Sequence, residues 1–270
     1  MRQRIRKTIL IISFLLFPIT AWYFSPYIII QAASEHIMNG SFIVFVSMFV
    51  LSMFLGRVWC GYLCPAGGLQ ECLQLCNPNP AKQGRRDKIK YVIWSVWIIA
   101  IIVTFILGKN AVTINPFYMM DHGISVSSIY NYVIYYGVLA ILVLPSLIHG
   151  RRSTCHYLCW MAPFMVIGSK IGRILHFPQL HIEADREACI SCGLCNKACP
   201  MGLDVKSLVA KKKFPCKVSD KNVEKVSEET GRNPETAPIC HTGKCLECIQ
   251  CGACVDACPK KVLKYKILWK

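Results

Sequence analysis

The chain has 270 residues, of which 54% are hydrophobic and 17% charged, and its formal net charge is +16. This composition is too apolar for an ordinary soluble protein, and the length allows two modest domains. The 17 cysteines argue against a secreted disulfide scaffold, because such scaffolds lack long apolar segments and most of these cysteines stand at ligand spacings. We expect no nucleic-acid partner, since the basic residues lie beside apolar segments instead of forming one recognition patch.

Four apolar segments are long enough to cross a bilayer as helices: residues 9–24, 37–56, 91–107 and 132–148. The first could instead be a secretory signal peptide, although no small-x-small cleavage site follows it. A further apolar piece, residues 160–177, contains a proline and basic side chains, so we expect an amphipathic helix at the membrane interface. The sequence therefore predicts a multi-pass membrane domain.

The distribution of lysine and arginine predicts the orientation of these spans, because short loops rich in both are retained in the cytoplasm. Only Lys109 lies in the opposite loops. An inner (cytoplasmic) membrane protein with both termini cytoplasmic is expected. The basic residues on the cytoplasmic side are Arg2, Arg4, Arg6, Lys7, Lys82, Arg85, Arg86, Lys88, Lys90, Arg151 and Arg152.

From residue 178 onward the long apolar segments give way to two matching cysteine runs, each closed by proline. These runs are Cys189-x2-Cys192-x2-Cys195-x3-Cys199-Pro200 and Cys248-x2-Cys251-x2-Cys254-x3-Cys258-Pro259. In two-cluster ferredoxins the first three cysteines of such a run bind one cubane cluster and the fourth binds the other. Zinc is the alternative, but structural zinc prefers two separated cysteine pairs. We predict two [4Fe-4S] clusters, the first held by Cys189, Cys192, Cys195 and Cys258 and the second by Cys248, Cys251, Cys254 and Cys199.

Three further cysteines lie in or beside residues 206–244, a polar stretch that we interpret as a solvated insertion between the runs. Cys240-x4-Cys245-x2-Cys248 matches the start of a plant-type [2Fe-2S] spacing, which leaves that cluster type as an alternative. Cys216, Cys240 and Cys245 receive no assignment.

A second repeat follows the second and fourth apolar segments. Its two copies are Arg57-x2-Cys60-Gly-Tyr-Leu-Cys64 and Arg152-x2-Cys155-His-Tyr-Leu-Cys159. Two copies of a helical unit ending on one side of the membrane would bring Cys60, Cys64, Cys155 and Cys159 together, as an additional metal or redox thiol site. The alternative is that they are small apolar residues at the interface. Cys72 and Cys76 have the same spacing without a repeat partner, and no role is assigned to them.

The order of these features resembles the membrane polyferredoxins of the NapH/NosR type. The first Cys-x3-Cys-Pro motif of that family is intact as Cys60-Gly-Tyr-Leu-Cys64-Pro65, whereas Trp160 follows Cys159 in the second. The resemblance implies an electron conduit between the quinol pool or a cytoplasmic donor and a membrane or periplasmic acceptor. We expect a mainly α fold, with a four-helix transmembrane domain over residues 1–177 and a small α+β two-cluster bacterial ferredoxin-like domain over residues 178–270.

The predicted function is membrane-bound electron transfer without substrate chemistry of its own, because the sequence has no signature of a nucleophile-base pair or a phosphate-binding loop. A redox-dependent metal-centre assembly or sensing protein is the alternative. The expected partners are the membrane and redox proteins, and quinone is left open because no motif supports a quinone site. We predict no intramembrane haem, since no facing pair of histidines lies at membrane depth. Polar groups for a quinone pocket could come from the outer loops, through Glu35, His36, Asn39, Asp121 and His122.

Overall fold

The computed structural model describes residues 1–81, 84–107, 113–120, 123–185, 187–210, 236–238 and 247–268. This part of the chain is mostly helical with a few short strands. The α-helices are α1 Arg2–Leu15, α2 Phe17–Thr20, α3 Pro26–Ser34, α4 Gly40–Leu55, α5 Val58–Tyr62, α6 Pro65–Leu73, α7 Ile89–Leu107, α8 Ile129–His149, α9 Ser153–Tyr157, α10 Ala162–Ile174, α11 Leu194–Ala198, α12 Val205–Ala210 and α13 Ala253–Asp256. The strands are β1 Ile37–Asn39, β2 Thr113–Asn115, β3 Gln179–Asp185, β4 Thr236–Pro238 and β5 Leu263–Leu268.

Two helices of the described residues are long and apolar enough to cross a membrane: the segment Arg86–Leu107, which contains α7, and α8. At the first predicted span, α1 and the following segment Phe17–Phe24 are bent by 59° and could together form a third. Pro18 lies at this break and cannot donate the backbone hydrogen bond that would continue α1. At the second predicted span, α4 has 16 residues and ends before Gly56, whose φ of 61° lies in the left-handed region. Within the described residues, four full-length spans are therefore not seen.

The two copies of the Arg-x2-Cys repeat have the same local structure. In each copy a long helix, α4 or α8, is followed by a five-residue helix, α5 or α9, with the first cysteine at its third position. A third helix then begins with proline in its first turn, α6 in one copy and α10 in the other. Proline fits there because the first turn of a helix needs no backbone donor. The sequence repeat is thus a structural repeat.

Helix α10 lies where an interfacial amphipathic helix was predicted, but one face of it packs against α4. A side-chain carbon at Gly168 would contact Phe49, and one at Gly172 would contact Met53. Small residues allow helices to approach this closely. The helix is therefore part of the bundle instead of lying alone at the interface.

Strand β3 forms the centre of an antiparallel sheet, with β4 on one side and β5 on the other. Gln179 pairs with Leu268 at one end of the β3 and β5 ladder, and Ala184 pairs with Leu263 at the other. The two cysteine runs follow β3 and precede β5, so the sheet holds both against the helices. One continuous core extends from the bundle into this module, through Phe45, Met165, Ile182, Met201 and Ile249.

Candidate iron-sulfur centres

The two cysteine runs fold in the same way. The residue before the second cysteine has a left-handed backbone in both, with φ of 54° at Ser191 and 53° at Gln250. The glycine after that cysteine is left-handed too, with φ of 76° at Gly193 and 69° at Gly252. Successive turns of this kind direct backbone N–H groups into one concavity, which favours an anionic ligand.

One cavity is lined by the cysteines assigned to the first cluster. Cys189, Cys192 and Cys195 come from the first run and Cys258 from the end of the second. Its remaining wall is mostly apolar, with two lysines at its edge. Four thiols on a shaped, water-poor surface are the donor set that a cubane cluster needs.

A separate cavity is lined by Cys199, Cys248, Cys251 and Cys254, the set assigned to the second cluster. Each cavity thus receives three cysteines of one run and the last cysteine of the other, as the spacing predicts. The other residues that line this cavity include Ile182, Met201, Leu203, Val205, Leu208 and Ile249.

Single-ion sites do not explain these cysteines. Among the described residues, no group of three or more histidine, cysteine, aspartate or glutamate side chains could hold one metal ion. Ligands of one zinc ion must all lie near 2.3 Å from it, whereas the thiolates of a cluster bind different irons and stand further apart. The arrangement therefore fits a cluster better than zinc.

The four cysteines of the Arg-x2-Cys repeat line one larger cavity of about 280 Å³, here called the bundle cavity. Cys60, Cys64, Cys155 and Cys159 all line it, and the exposed wall is almost entirely apolar. The structure therefore brings together the four residues that the repeat predicted to form one site. Other residues that line the bundle cavity are Phe17, Phe24, Arg57, Tyr135, Val138 and Arg152.

The thiols of these four cysteines lie close enough to interact electrostatically. Burial raises the pKa of Cys64 well above its usual value, and Cys60, Cys155 and Cys159 raise it further. Cys60 Sγ also lies 3.9 Å from the thioether sulfur of Met165.

A buried ionic group, here called the Glu71 group, lies beside this site. Glu71 accepts hydrogen bonds from Arg6 at 2.8 Å and from Arg152 at 2.7 Å, and the three side chains are 4%, 2% and 0% exposed. Burial by itself raises the pKa of Glu71, but the charges and hydrogen bonds of the two arginines outweigh it and lower the pKa to about 2. Arg152 also donates to the carbonyl of Cys60 at 3.1 Å. One carboxylate therefore connects α1, α6 and the start of α9.

A second buried ionic group, here called the Glu247 group, joins the ferredoxin-like module to the helices. Glu247, which precedes Cys248 in the chain, accepts from Arg57 at 2.6 Å and from Lys90 at 2.5 Å. Burial raises its pKa, but the two cations outweigh this and lower it to about 2. Neither glutamate could be identified from the sequence, because their partners are distant in the chain.

The N-terminal helix and α5 contact the loop of the second cluster directly. Arg2 donates to Asp256 at 2.6 Å, and Gln3 donates to the carbonyl of Cys251 at 2.9 Å. The Cα of Gly61 faces the carbonyl of Ile249, with no room for a side chain between them. The second cluster site therefore lies next to the repeat that carries Cys60.

The remaining predicted residues lie apart from these sites. Cys72 and Cys76 are exposed. Asn39 is buried and caps α4, accepting from the backbone N–H of Phe42 at 2.9 Å. Neither Asn39 nor the other described quinone candidates, Glu35 and His36, line the bundle cavity. Residues outside the described part are Asp121, His122, Cys216, Cys240 and Cys245.

Family models match both halves of the chain. The model described as a 4Fe-4S binding domain matches residues 40–82 and again residues 130–178, and each match contains one copy of the Arg-x2-Cys repeat. The model described as a 4Fe-4S dicluster domain matches residues 188–263, which contain both cysteine runs. Both models indicate iron-sulfur clusters. No solved structure matches the chain.

Relatives are distant but cover most of this chain. An uncharacterized protein of Methanocaldococcus jannaschii is 23% identical over 82% of this chain and 69% of its own length. YccM of Escherichia coli, whose name assigns it provisionally to electron transport, is 24% identical over 74% of this chain and 57% of its own length. The methylamine utilization ferredoxin-type protein MauN of Paracoccus denitrificans is 25% identical over 65% of this chain and 60% of its own length. The chain thus spans less than two thirds of YccM and of MauN.

Proposed function

Since the chain belongs to the 4Fe-4S ferredoxin-type proteins of the membrane polyferredoxin family, we propose that it is a membrane-bound relay with two [4Fe-4S] clusters in residues 178–270. The observation that carries this proposal is the exchange of the fourth cysteine between two separate cavities. Clusters of this kind supply one-electron oxidation and reduction. The residues of the chain hold, shield and connect them.

The surface of the helices supports a membrane location. Val92, Ile99 and Ile106 on α7, and Ile129 and Tyr136 on α8, are large apolar side chains that face outward. Apolar surface on this scale needs a lipid or protein cover. We place residues 1–177 in the inner membrane with four crossings, of which the bent segment and α4 are the two that deviate from a straight span.

The orientation of the chain in the membrane follows from one contact of the N-terminus and from the charge distribution. Arg2 binds Asp256, so the N-terminus lies on the same side of the bundle as the ferredoxin-like module. The lysine and arginine distribution makes that side cytoplasmic. Both termini, and both cluster sites, then face the cytoplasm.

The two cluster sites differ in exposure, and this difference assigns a different redox partner to each. At the first, Cys192 is exposed, and Ile190 and Leu194 are 58% and 44% exposed. At the second, Cys199 and Cys251 are buried where the loop packs against the helices. A soluble redox protein therefore exchanges electrons at the first cluster, and the membrane side exchanges them through the second.

At the membrane side, quinone is the carrier that fits best. The bundle cavity is lined by the cysteines of the repeat and by Ile134, Val138 and Ile141 of α8, and its wall is mostly apolar and aromatic. Ligand pockets typically combine such a wall with a few polar groups, here Ser25, Tyr27 and Tyr135.

The relay is tested with the full-length protein in lipid nanodiscs, reduced anaerobically and measured by EPR. Cys195→Ser and Cys258→Ser lie in different runs but line the same cavity, so both should leave the same residual cluster spectrum. Cys254 and Cys199 line the second cavity, so Cys254→Ser and Cys199→Ser should leave only the spectrum of the first cluster. The exposed Cys72→Ser should leave the spectra of both clusters. Loss of the same cluster in Cys254→Ser and Cys258→Ser would contradict the exchange of ligands, and zinc in place of iron would contradict the relay.

The docking of the soluble partner gives a second expected result. Lys206 and Lys260 line the first cavity, and no acidic side chain among the described residues does. Charge complementarity favours an acidic redox protein and chiefly sets its association rate. Lys206→Glu with Lys260→Glu should slow reduction by flavodoxin about 10-fold at low salt and remove most of the salt dependence.

Reduction by dithionite, which needs no docking surface, serves as the control and should keep its rate. Lys264→Glu, which lies on β5 and lines neither cluster cavity, should change flavodoxin reduction much less. Equal slowing by Lys264→Glu would show that overall charge, and not this surface, governs the encounter.

A further inference from the structure

The bundle cavity contains four thiols that the two-cluster relay does not use. Cys60 and Cys155 occupy equivalent positions in α5 and α9, and Cys64 and Cys159 follow each of them after four residues. We propose that these four cysteines hold a third iron-sulfur cluster, with Arg57 and Arg152 as its buried counter-charges. This inference rests on the proposed relay and extends it into the bundle.

The geometry favours a cluster over one metal ion. No three cysteine, histidine or acidic side chains of the described residues are placed to bind one ion, yet all four of these thiols line one cavity. The cavity of about 280 Å³ is many times the space that one water needs. Thiolates that are spread over the irons of a cluster, one or two to each iron, meet both conditions.

The charges around the cavity call for an anionic occupant. The Glu71 group contains two arginines and one carboxylate, and the Glu247 group contains an arginine, a lysine and one carboxylate. Counted over the described residues, each group therefore has a net charge of +1 in a buried setting, which is costly without a compensating anion. Asp87, whose buried Oδ1 lies 3.7 Å from Nδ1 of His156, adds negative charge near the second group, so the Glu71 group is the one whose positive charge most needs an anion.

The two repeated arginines direct this positive charge to the cysteines. Arg57 and Arg152 both line the bundle cavity, each three residues before the first cysteine of its repeat. Arg152 is fully buried, and its Nε has no hydrogen-bond partner among the described residues. Thiolates and cluster sulfides would supply both the acceptor and the negative charge.

The position of this site suits an electron path from the second cluster. Gly61 lies one residue after Cys60, and its Cα touches the backbone at Ile249 in the loop that carries Cys248 and Cys251. No side chain separates the two segments there. The third site then lies between the second cluster and the apolar part of the bundle cavity.

The test is the iron and acid-labile sulfide content of the full-length protein, purified anaerobically in detergent. A third cluster predicts about twelve irons per chain if it is a cubane, or about ten if it is a [2Fe-2S] cluster. Cys60→Ser with Cys155→Ser, which removes one ligand from each repeat, should lose four or two of these irons. The EPR spectrum of the two ferredoxin clusters should remain.

Cys72→Ser with Cys76→Ser is the matched control, because this pair has the same spacing but is exposed; it should keep every iron. A wild-type content of about eight irons would overturn the inference while leaving the proposed relay intact. That count decides the question even if the double variant fails to fold. Equal iron loss in the control, or a reversible disulfide among the four cysteines without extra iron, would also overturn it.

Discussion

Replacing Glu71 by alanine should lower the free energy of unfolding by about 3–5 kcal/mol, because breaking a buried ionic group leaves charges without compensation. Arg6 and Arg152 are almost fully buried and both donate to this carboxylate. The measurement is chemical denaturation of the purified protein, followed by tryptophan fluorescence. Since Arg152 also donates to the carbonyl of Cys60, the iron content should fall as well.

Lys266→Ala is the matched control, because it removes an ion pair with Glu183 in which the lysine is 48% exposed. Exposed pairs contribute about 1 kcal/mol or less. A similar loss in both variants would contradict the structural role of Glu71.

The Glu71 group also gives a pH dependence with a defined sign. Its folded-state pKa of about 2 lies below the ordinary value of 4.5. The folded protein therefore holds this proton less tightly than the unfolded chain does. The stabilisation by Glu71 is fully present above about pH 4.5 and is lost as the pH falls towards 2. In Glu71→Ala, this part of the acid sensitivity should disappear.

The cluster sites could be predicted from sequence because their information is local. Cysteines two and three residues apart determine how one loop wraps around a cluster, and two like runs imply an exchanged fourth ligand. The grouping of Cys60 with Cys155 was also predictable, since an internal repeat implies equivalent positions. Both predictions depend on spacing alone; in the structure each predicted set of four cysteines lines one cavity, and their ligand roles stay predictions.

The buried ionic groups could not be predicted, because they depend on contacts between distant segments. Arg57 and Arg152 stood out as repeated residues, but nothing in the sequence identified Glu71 and Glu247 as their partners. The hydropathy pattern predicted where apolar segments lie but not where their helices bend or end. Hydropathy measures apolar length, whereas the bend at Pro18 comes from a missing backbone donor.

Replacing Gly61 by alanine should separate the second cluster loop from the bundle. Alanine normally stabilises a helix interior by about 1 kcal/mol over glycine, so the helix propensity of α5 would by itself favour the substitution. The new methyl group, however, would overlap the backbone carbonyl of Ile249. Overpacking against a well-packed neighbour costs about 1–3 kcal/mol, and the backbone between Cys248 and Cys251, the proposed cluster ligands, cannot move like a flexible side chain. The clash should therefore exceed the gain in helix propensity.

Gly137→Ala provides the matched control, since this helical glycine on α8 has no atom within 4 Å of the added carbon. It should keep full iron content and at least the wild-type stability. Gly61→Ala should instead lose the second cluster in EPR, or pass electrons from the first cluster to the bundle at least 10-fold more slowly, since positional shifts of about 1 Å can cost that much or more in rate. Wild-type spectra and transfer rates in Gly61→Ala would show that the loop of Ile249 and α5 are not in direct contact, and the electron path through this point would have to be abandoned.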